Sequence, residues 1–159
     1  MLVVSDTSPI SSLLQVGRAD LLLDLFGHVC ISPAVQRELA RFHATTPPYI
    51  EVRAVVEQAR VSILQLTLDA GEAEAIVLAA ECRADYLLID ERRGRKVAAE
   101  QGVPTIGVLG VLLLAKERQL IPSVKDCLAE LQAKAGFYVS EAIKLRVLTA
   151  AQEVQNEGP

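Results

Sequence analysis

The sequence contains no tryptophan, two histidines and three cysteines, and aromatic residues make up only 4% of its 159 residues. Cys30, Cys82 and Cys127 are odd in number and widely spaced, without the C-x-x-C or Cys/His spacing of a zinc site. His28 and His43 are isolated, and neither has the neighbours that a catalytic base needs. These absences argue against a disulfide framework and a zinc module, and they favour reduced cysteines packed in the core.

The sequence also lacks long apolar runs, a net positive charge and the common nucleotide-binding and hydrolase motifs. No apolar stretch approaches the length of a membrane span, and the first residues lack the basic region and cleavage site of a secretory signal. We therefore expect a single-domain protein that lies in the cytoplasm, without a membrane partner. The net charge of −4 disfavours general binding to nucleic acid but is compatible with a local basic patch. No P-loop, G-x-G-x-x-G or G-x-S-x-G motif occurs.

The chain is rich in aliphatic residues, and their arrangement is most informative at its start. A short apolar run ends in Asp6, which predicts a strand buried on both faces with Asp6 at its carboxyl end. Ser8 and Pro9 then resemble a capping hydroxyl followed by a proline at the first helical position. Ligands bind at the carboxyl ends of strands in open α/β sheets. Asp6 is therefore either a functional carboxylate or simply a turn residue.

Strands alternate with helices along the whole sequence, which predicts a parallel sheet flanked by helices. Strands are predicted at 1–5, 28–31, 61–66, 86–89 and 104–106, and helices at 10–14, 19–26, 34–39, 49–60, 69–81, 92–101, 110–118, 123–135 and 140–153. Residues 156–159 are expected to fray.

Several carboxylates fall at strand ends or in early helical turns. Asp6 and Asp90 follow two predicted strands, Glu72 and Glu74 begin one helix, and Glu38 lies five residues after a Ser32-Pro33 helix start. Because these positions share one edge of a parallel sheet, the carboxylates are expected to converge there.

Converging carboxylates resist ionisation unless a cation lies between them, and oxygen ligands alone suit Mg²⁺ or Mn²⁺. Such a metal can orient a phosphodiester and activate a water molecule. The alternative is structural, because acidic side chains in a first helical turn also stabilise the helix dipole by about 0.3–1 kcal/mol each. That alternative applies most directly to Glu72 and Glu74.

Four segments in order, rather than any single motif, resemble the PIN-domain nucleases. They are Val4–Ile10, Ile31–Leu39, Gly71–Ile76 and Leu88–Arg95. The similarity covers roughly residues 1–120 and is greatest to a prokaryotic subgroup related to the toxins of VapBC-type toxin–antitoxin systems. It implies a PIN-like three-layer α/β/α fold with a central parallel sheet of about four to five strands. It also implies one domain over 1–159, with a nuclease core at 1–120 and additional C-terminal helices at 121–155.

The resemblance also implies a Mg²⁺- or Mn²⁺-dependent ribonuclease, with catalytic and metal-binding roles for Asp6, Glu38, Glu74 and Asp90. Glu74 is favoured by its spacing to Asp90, although a shift of two residues would select Glu72 as the metal ligand. A glutamate here replaces the more common family aspartate. At the fourth position the family usually has Thr or Ser with an aspartate two residues later, whereas this chain has Asp90, Glu91 and Arg92.

Polar and basic residues beside these carboxylates are candidate substrate contacts, namely Thr7, Ser8, Arg92, Arg93, Arg95 and Lys96. The basic cluster at 92–96 either binds the phosphate backbone or forms a solvated helix face. The function that the resemblance implies is hydrolysis of RNA by a toxin that an antitoxin protein restrains. The alternative is a catalytically inactive PIN-like interaction module. A homodimer is also expected, with spare apolar surface on the late helices.

Overall fold

The computed structural model describes residues 1–154, and the expected fraying of 156–159 lies outside that range. Five strands form one parallel sheet in the order β3-β2-β1-β4-β5. The strands are β1 (Val3–Ser5), β2 (Val29–Ile31), β3 (Ile50–Val52), β4 (Tyr86–Leu88) and β5 (Thr105–Ile106). The parallel sheet of about five strands is thus confirmed.

Nine helices within residues 1–154 connect and cover the strands. They are α1 (Thr7–Gln15), α2 (Asp20–Phe26), α3 (Pro33–Phe42), α4 (Gln58–Leu64), α5 (Ala70–Glu81), α6 (Arg92–Glu100), α7 (Val108–Glu117), α8 (Val124–Lys134) and α9 (Glu141–Ala150). Helix α5 packs on β1 and β4 with α4 and α6 beside it, whereas α2 and α7 contact each other and lie on β2 and β5. Helices on both faces of the sheet give the expected three layers. No helix in this part of the chain is long and apolar enough to span a membrane.

The central strands are buried on both faces, as their apolar sequences predict. Val3 and Val4 of β1 are fully buried, and so are Leu87 and Leu88 of β4. Asp6 directly follows β1, and its backbone N–H bonds to the carbonyl of Leu88 at 2.9 Å. The ladder between β1 and β4 therefore fixes Asp6 at the carboxyl edge of the sheet.

The two Ser-Pro signals differ in the structure. Ser32 caps α3 as expected, since its hydroxyl accepts a hydrogen bond from the Val35 N–H at 3.2 Å and Pro33 is the first helical residue. At the first signal, α1 begins two residues before Pro9, and Asp6 rather than Ser8 occupies the N-cap position. The Asp6 side chain makes no capping hydrogen bond.

The predicted helix at 49–60 and the predicted strand at 61–66 are both wrong. Residues 50–52 form β3, and residues 58–64 form α4. Because β3 is an edge strand, Glu51 and Val52 are exposed and the segment lacks the apolar run of a central strand. In α4, Val61 and Leu64 are buried at helical spacing.

Most of the apolar surface expected on the late helices is used inside the fold. Leu128 and Leu131 of α8 are fully buried, and Val147 and Leu148 of α9 are nearly so. Only Ile143 and Leu145 of α9 remain substantially exposed. Most of the C-terminal apolar residues therefore belong to the core.

Candidate active site

An acidic cavity of about 390 Å³ opens at the carboxyl edge of the sheet. The carboxylates that line it come from four parts of the chain and are Asp6, Glu38, Asp69, Glu72 and Glu91. The hydroxyl groups of Thr7, Ser8, Ser11 and Ser12 line the same cavity. The wall is thus rich in oxygen atoms that can bind a metal, and no basic side chain of residues 1–154 lines it.

Asp6 lies at the centre of this arrangement and is only 6% exposed. Burial raises the pKa of Asp6 from 3.8 to about 7, and the charges of Asp69, Glu38 and Glu91 add to the effect. The nearby backbone N–H of Thr7 opposes it. A carboxyl group held this way is ionised at neutral pH only in part, so that a cation in the cavity would stabilise its charged form.

Glu72 is the second buried carboxyl group, with 5% of its surface exposed. Asp69 caps α5 by accepting the N–H of Glu72 at 2.8 Å, which fixes Glu72 in the first helical turn. Burial raises the pKa of Glu72 to about 8, and hydrogen bonding to Glu91 and the charges of Asp69, Glu91 and Asp6 contribute in the same direction. Two buried acids with raised pKa values therefore face one cavity.

Glu38 reaches the cavity from the second turn of α3 and is positioned by two neighbours. The hydroxyl of Thr7 donates a hydrogen bond to Glu38 Oε2. On its other side lies Gly71 of α5, where an added Cβ would come within 2.7 Å of both carboxylate oxygens. The absence of a side chain at Gly71 thus lets Glu38 lie directly against α5.

The structure brings together Asp6, Glu38 and Glu72, but it places Glu74 and Asp90 elsewhere. Glu74 Oε2 accepts the Ala34 N–H at 2.8 Å and caps the start of α3. Asp90 Oδ1 accepts the Val108 N–H at 2.9 Å and lines a separate cavity. Burial raises the pKa of Asp90, against the lowering effects of that N–H and of Arg95. The sequence favoured Glu74 over Glu72 as the metal ligand, and it predicted that Asp90 converges with the other carboxylates. Neither prediction agrees with these positions.

Sequence reasoning missed two of the carboxylates that line the acidic cavity, Asp69 and Glu91. Glu91 follows Asp90 directly, so that of two consecutive carboxylates after β4 the second lines this cavity. Asp69 bears the sequence signal of an N-cap, because it precedes α5 by one residue. Their positions in the sequence could have identified Asp69 and Glu91 as acids at this edge of the sheet. The sequence alone does not show which cavity each of them lines.

The basic cluster lies on α6, next to Glu91. All four of its side chains, Arg92, Arg93, Arg95 and Lys96, belong to exposed residues. Arg93 donates to the carbonyl of Thr67 at 3.1 Å, whereas Arg95 lines the cavity that contains Asp90. Cationic side chains are therefore near the acidic cavity without neutralising its buried carboxyl groups.

The acidic cavity suits a hard divalent cation. Its charged donors are all carboxylates, which fit Mg²⁺ or Mn²⁺. Their unneutralised burial explains the raised pKa values of Asp6 and Glu72. These acids are spread around the cavity. Within residues 1–154, the one set of three donor atoms that lie within 4.8 Å of one another belongs to His28, Cys30 and Glu51.

The set of His28, Cys30 and Glu51 lies at β2 and β3, away from the acidic cavity. His28 precedes β2 at its amino end, and Cys30 pairs with Glu51 across the ladder. Arg53 already forms an ion pair with Glu51 at 3.3 Å and donates to Cys82 Sγ at 3.7 Å. This mixed nitrogen, sulfur and oxygen set is unlike a magnesium site and is not connected to the acidic cavity.

A family model described as PIN domain matches residues 2–153. The chain therefore belongs to the PIN-domain family, whose members are generally divalent-metal-dependent nucleases. The match extends through α8 and α9, beyond the four segments that carry the resemblance. A comparison with curated proteins found no match.

Proposed function

We propose that this protein is an endoribonuclease that hydrolyses RNA with Mg²⁺ or Mn²⁺ held by Asp6, Glu38 and Glu72. The observation that carries the proposal is the convergence of three carboxylates from β1, α3 and α5 on one cavity. Two of the three are buried without a cationic partner in the cavity wall. Asp69 and Glu91 line the same cavity and would supply further oxygens, directly or through water.

The residues of this chain have separate tasks in the proposed reaction. When bound, the metal would polarise the phosphodiester and lower the pKa of the attacking water. Thr7 holds the Glu38 carboxylate in place through its hydroxyl. Ser8 and Ser12 offer hydrogen bonds at the rim, and the exposed Arg92, Arg93 and Lys96 would attract the RNA backbone.

The proposed biological setting rests on the family resemblance rather than on the geometry. We propose that the protein acts in the cytoplasm, where its RNA substrate is found, as the toxin of a toxin–antitoxin pair and as a homodimer. A small antitoxin gene next to this gene, with a product that co-purifies and blocks cleavage, would support this role. An isolated gene would favour a stand-alone nuclease.

Cleavage of a mixed RNA by the purified protein tests the activity. We expect cleavage with Mn²⁺ or Mg²⁺, none with EDTA, and a loss of at least a hundredfold in Asp6→Asn and Glu72→Gln. The control variants Asp24→Asn and Glu117→Gln remove exposed carboxylates on α2 and α7 and should cut at the wild-type rate. If Asp6→Asn cuts RNA at the wild-type rate, the metal site that contains Asp6 is not needed for cleavage.

The catalytically inactive interaction module stays the second candidate, because Glu74 and Asp90 do not line the acidic cavity. It predicts that no RNA is cut at any metal concentration. It also predicts that Asp6→Asn leaves partner binding unchanged.

A further inference from the structure

A second, larger cavity lies next to the acidic cavity at the same edge of the sheet. Its volume is about 520 Å³. Four parts of the chain line it: the end of β4, the start of α6, the turn from β5 into α7, and the segment from α8 into α9. The proposed hydrolysis assigns no task to this cavity.

The wall of this cavity combines an aromatic ring, a guanidinium group and a carboxylate. Tyr138 lines it with 86% of its surface exposed, while Phe137 beside it packs against the core. Arg95 and Asp90 line the same cavity. Flat aromatic and guanidinium surfaces are those on which single-stranded bases stack.

The carboxylate of Asp90 is held in a defined position with one oxygen in use. Oδ1 accepts the Val108 N–H at 2.9 Å, and no hydrogen bond within residues 1–154 involves Oδ2. A Cβ at Gly107 would come within 2.8 Å of Asp90 Oδ1 and 3.2 Å of Arg95 Nη1. Gly107 therefore leaves room for both charged groups in the cavity wall, and Asp90 keeps the capacity to accept an N–H through Oδ2.

The two cavities meet at consecutive residues. Asp90 lines the larger cavity and Glu91 lines the acidic one. The turn after β4 therefore forms part of both walls, and the two cavities lie side by side. An RNA strand whose phosphate lies at the acidic cavity would place a neighbouring base at the larger cavity, whose wall includes Tyr138.

We propose that this cavity binds one base of the RNA beside the cleaved phosphate. The base stacks on Tyr138, and an exocyclic amino group donates to Asp90. Cytosine, adenine and guanine carry an exocyclic amino group with two N–H donors, whereas uracil offers only its ring N3–H, so the cavity prefers the first three bases. The proposal rests on the proposed function for its RNA substrate, but base binding itself requires no metal.

Binding of nucleoside 5′-monophosphates in EDTA tests this site separately from cleavage. The chain contains three tyrosines and no tryptophan, so stacking on Tyr138 should quench a substantial part of its fluorescence. We expect saturable binding of CMP, AMP and GMP at millimolar concentrations and at least fivefold weaker binding of UMP. Calorimetry provides a readout that does not depend on the fluorophore.

Variants then identify the groups that bind. Tyr138→Ala should weaken CMP binding about five- to a hundredfold, the range expected for loss of one stacked base, and Tyr138→Phe should restore it. Leu145→Ala, which truncates an exposed side chain on α9, is the matched control and should bind as wild type does. Asp90→Asn should reduce the difference in affinity between CMP and UMP.

The outcomes separate this proposal from the proposed nuclease. Equal CMP binding by wild type and Tyr138→Ala, or no saturable binding of any of the four nucleotides, would overturn the base site even if RNA is cleaved. Binding that follows the predicted pattern in a protein that cuts no RNA would support the base site and refute the nuclease. In an active enzyme, Tyr138→Ala should raise KM for a short RNA with little change in kcat.

Discussion

At the scale of single residues, the acidic cavity contains carboxyl groups whose burial lowers the stability of the folded protein. Asp6 and Glu72 are almost fully buried, and their pKa values are raised to about 7 and about 8. An isolated acid buried in this way destabilises the folded state once it ionises. Their position is thus better explained by a bound cation than by the fold alone.

The stability of the metal-free protein should therefore fall as the pH rises. The folded state keeps the proton on Asp6 up to a pH of about 7, whereas the unfolded chain releases it near 3.8. Between these values the folded state binds more protons, so the free energy of unfolding decreases with pH. Glu72 extends the decrease to a pH of about 8.

Asp6→Asn should remove much of this dependence. At pH 8 in EDTA, we expect the variant to be stabilised by roughly 1–4 kcal/mol relative to wild type, with a much smaller difference at pH 4. Thermal melts at several pH values measure the effect, with Asp24→Asn as the control on an exposed carboxylate. Parallel curves for wild type and Asp6→Asn would show that Asp6 is ionised without penalty.

Glu72 and Glu74 should respond differently to substitution although they are two residues apart. Millimolar Mn²⁺ should raise the melting temperature of wild type, and Glu72→Gln should abolish this increase because a metal ligand is lost. Glu74→Ala should keep the increase but lower the baseline stability by roughly 0.5–2 kcal/mol, since α3 loses the capping hydrogen bond of Ala34 and keeps only that of Ser32. If Glu74→Ala loses the Mn²⁺ effect instead, Glu74 binds the metal.

At the scale of helices and strands, the sequence predicted elements well where a local signal coincided with burial. The cap at Ser32 and the apolar run of β4 are examples. It failed at residues 49–66, because β3 is an edge strand with two exposed residues and α4 buries only two side chains. An edge strand has no apolar pattern to distinguish it from an exposed helix.

The same limit applies to the site. Asp6 and Glu38 were identifiable from their position after a strand and after a capped helix start. Residues two apart on a helix point about 200° away from each other, so only one of Glu72 and Glu74 can line the cavity. Which one does so depends on how α5 is rotated against the sheet. That rotation is set by packing with α3, which no local pattern encodes.

Gly71→Ala should disturb the metal site through the contact between α3 and α5. The new methyl group would displace the Glu38 carboxylate, which lies 2.7 Å from the Cβ position. Alanine is the better helix former by about 1 kcal/mol, and this gain offsets the cost of displacing Glu38. The stability should therefore change little. We expect the affinity for Mn²⁺, measured by calorimetry, to fall at least fivefold.

Gly110→Ala is the matched control for this variant. Its methyl group would meet Ile106, at 2.6 Å, instead of a carboxylate. It should therefore lower the melting temperature while leaving the affinity for Mn²⁺ unchanged. An unaltered Mn²⁺ affinity in Gly71→Ala would mean that Glu38 does not contribute to metal binding.

At the scale of the whole molecule, the exposed apolar side chains are unevenly distributed. Within the ten or so residues around α4, Val56, Ile63 and Leu66 are 81%, 65% and 82% exposed. The late helices, by contrast, bury most of their apolar residues. Exposed apolar surface of this kind is typical of partner contacts, so the expected dimer interface fits α4 better than α9.

We therefore predict that the protein forms a homodimer through the surface of α4. Light scattering at micromolar concentration should report twice the 17.2 kDa mass of one chain. Ile63→Glu should shift this mass towards the monomer, because a charge would be buried in a contact that needs about 800 Å² per partner. Leu145→Glu tests the surface of α9 in the same way and should leave the dimer intact. A dimer that only Leu145→Glu disrupts would place the interface on the late helices, and a single 17 kDa species for wild type would rule out the dimer altogether.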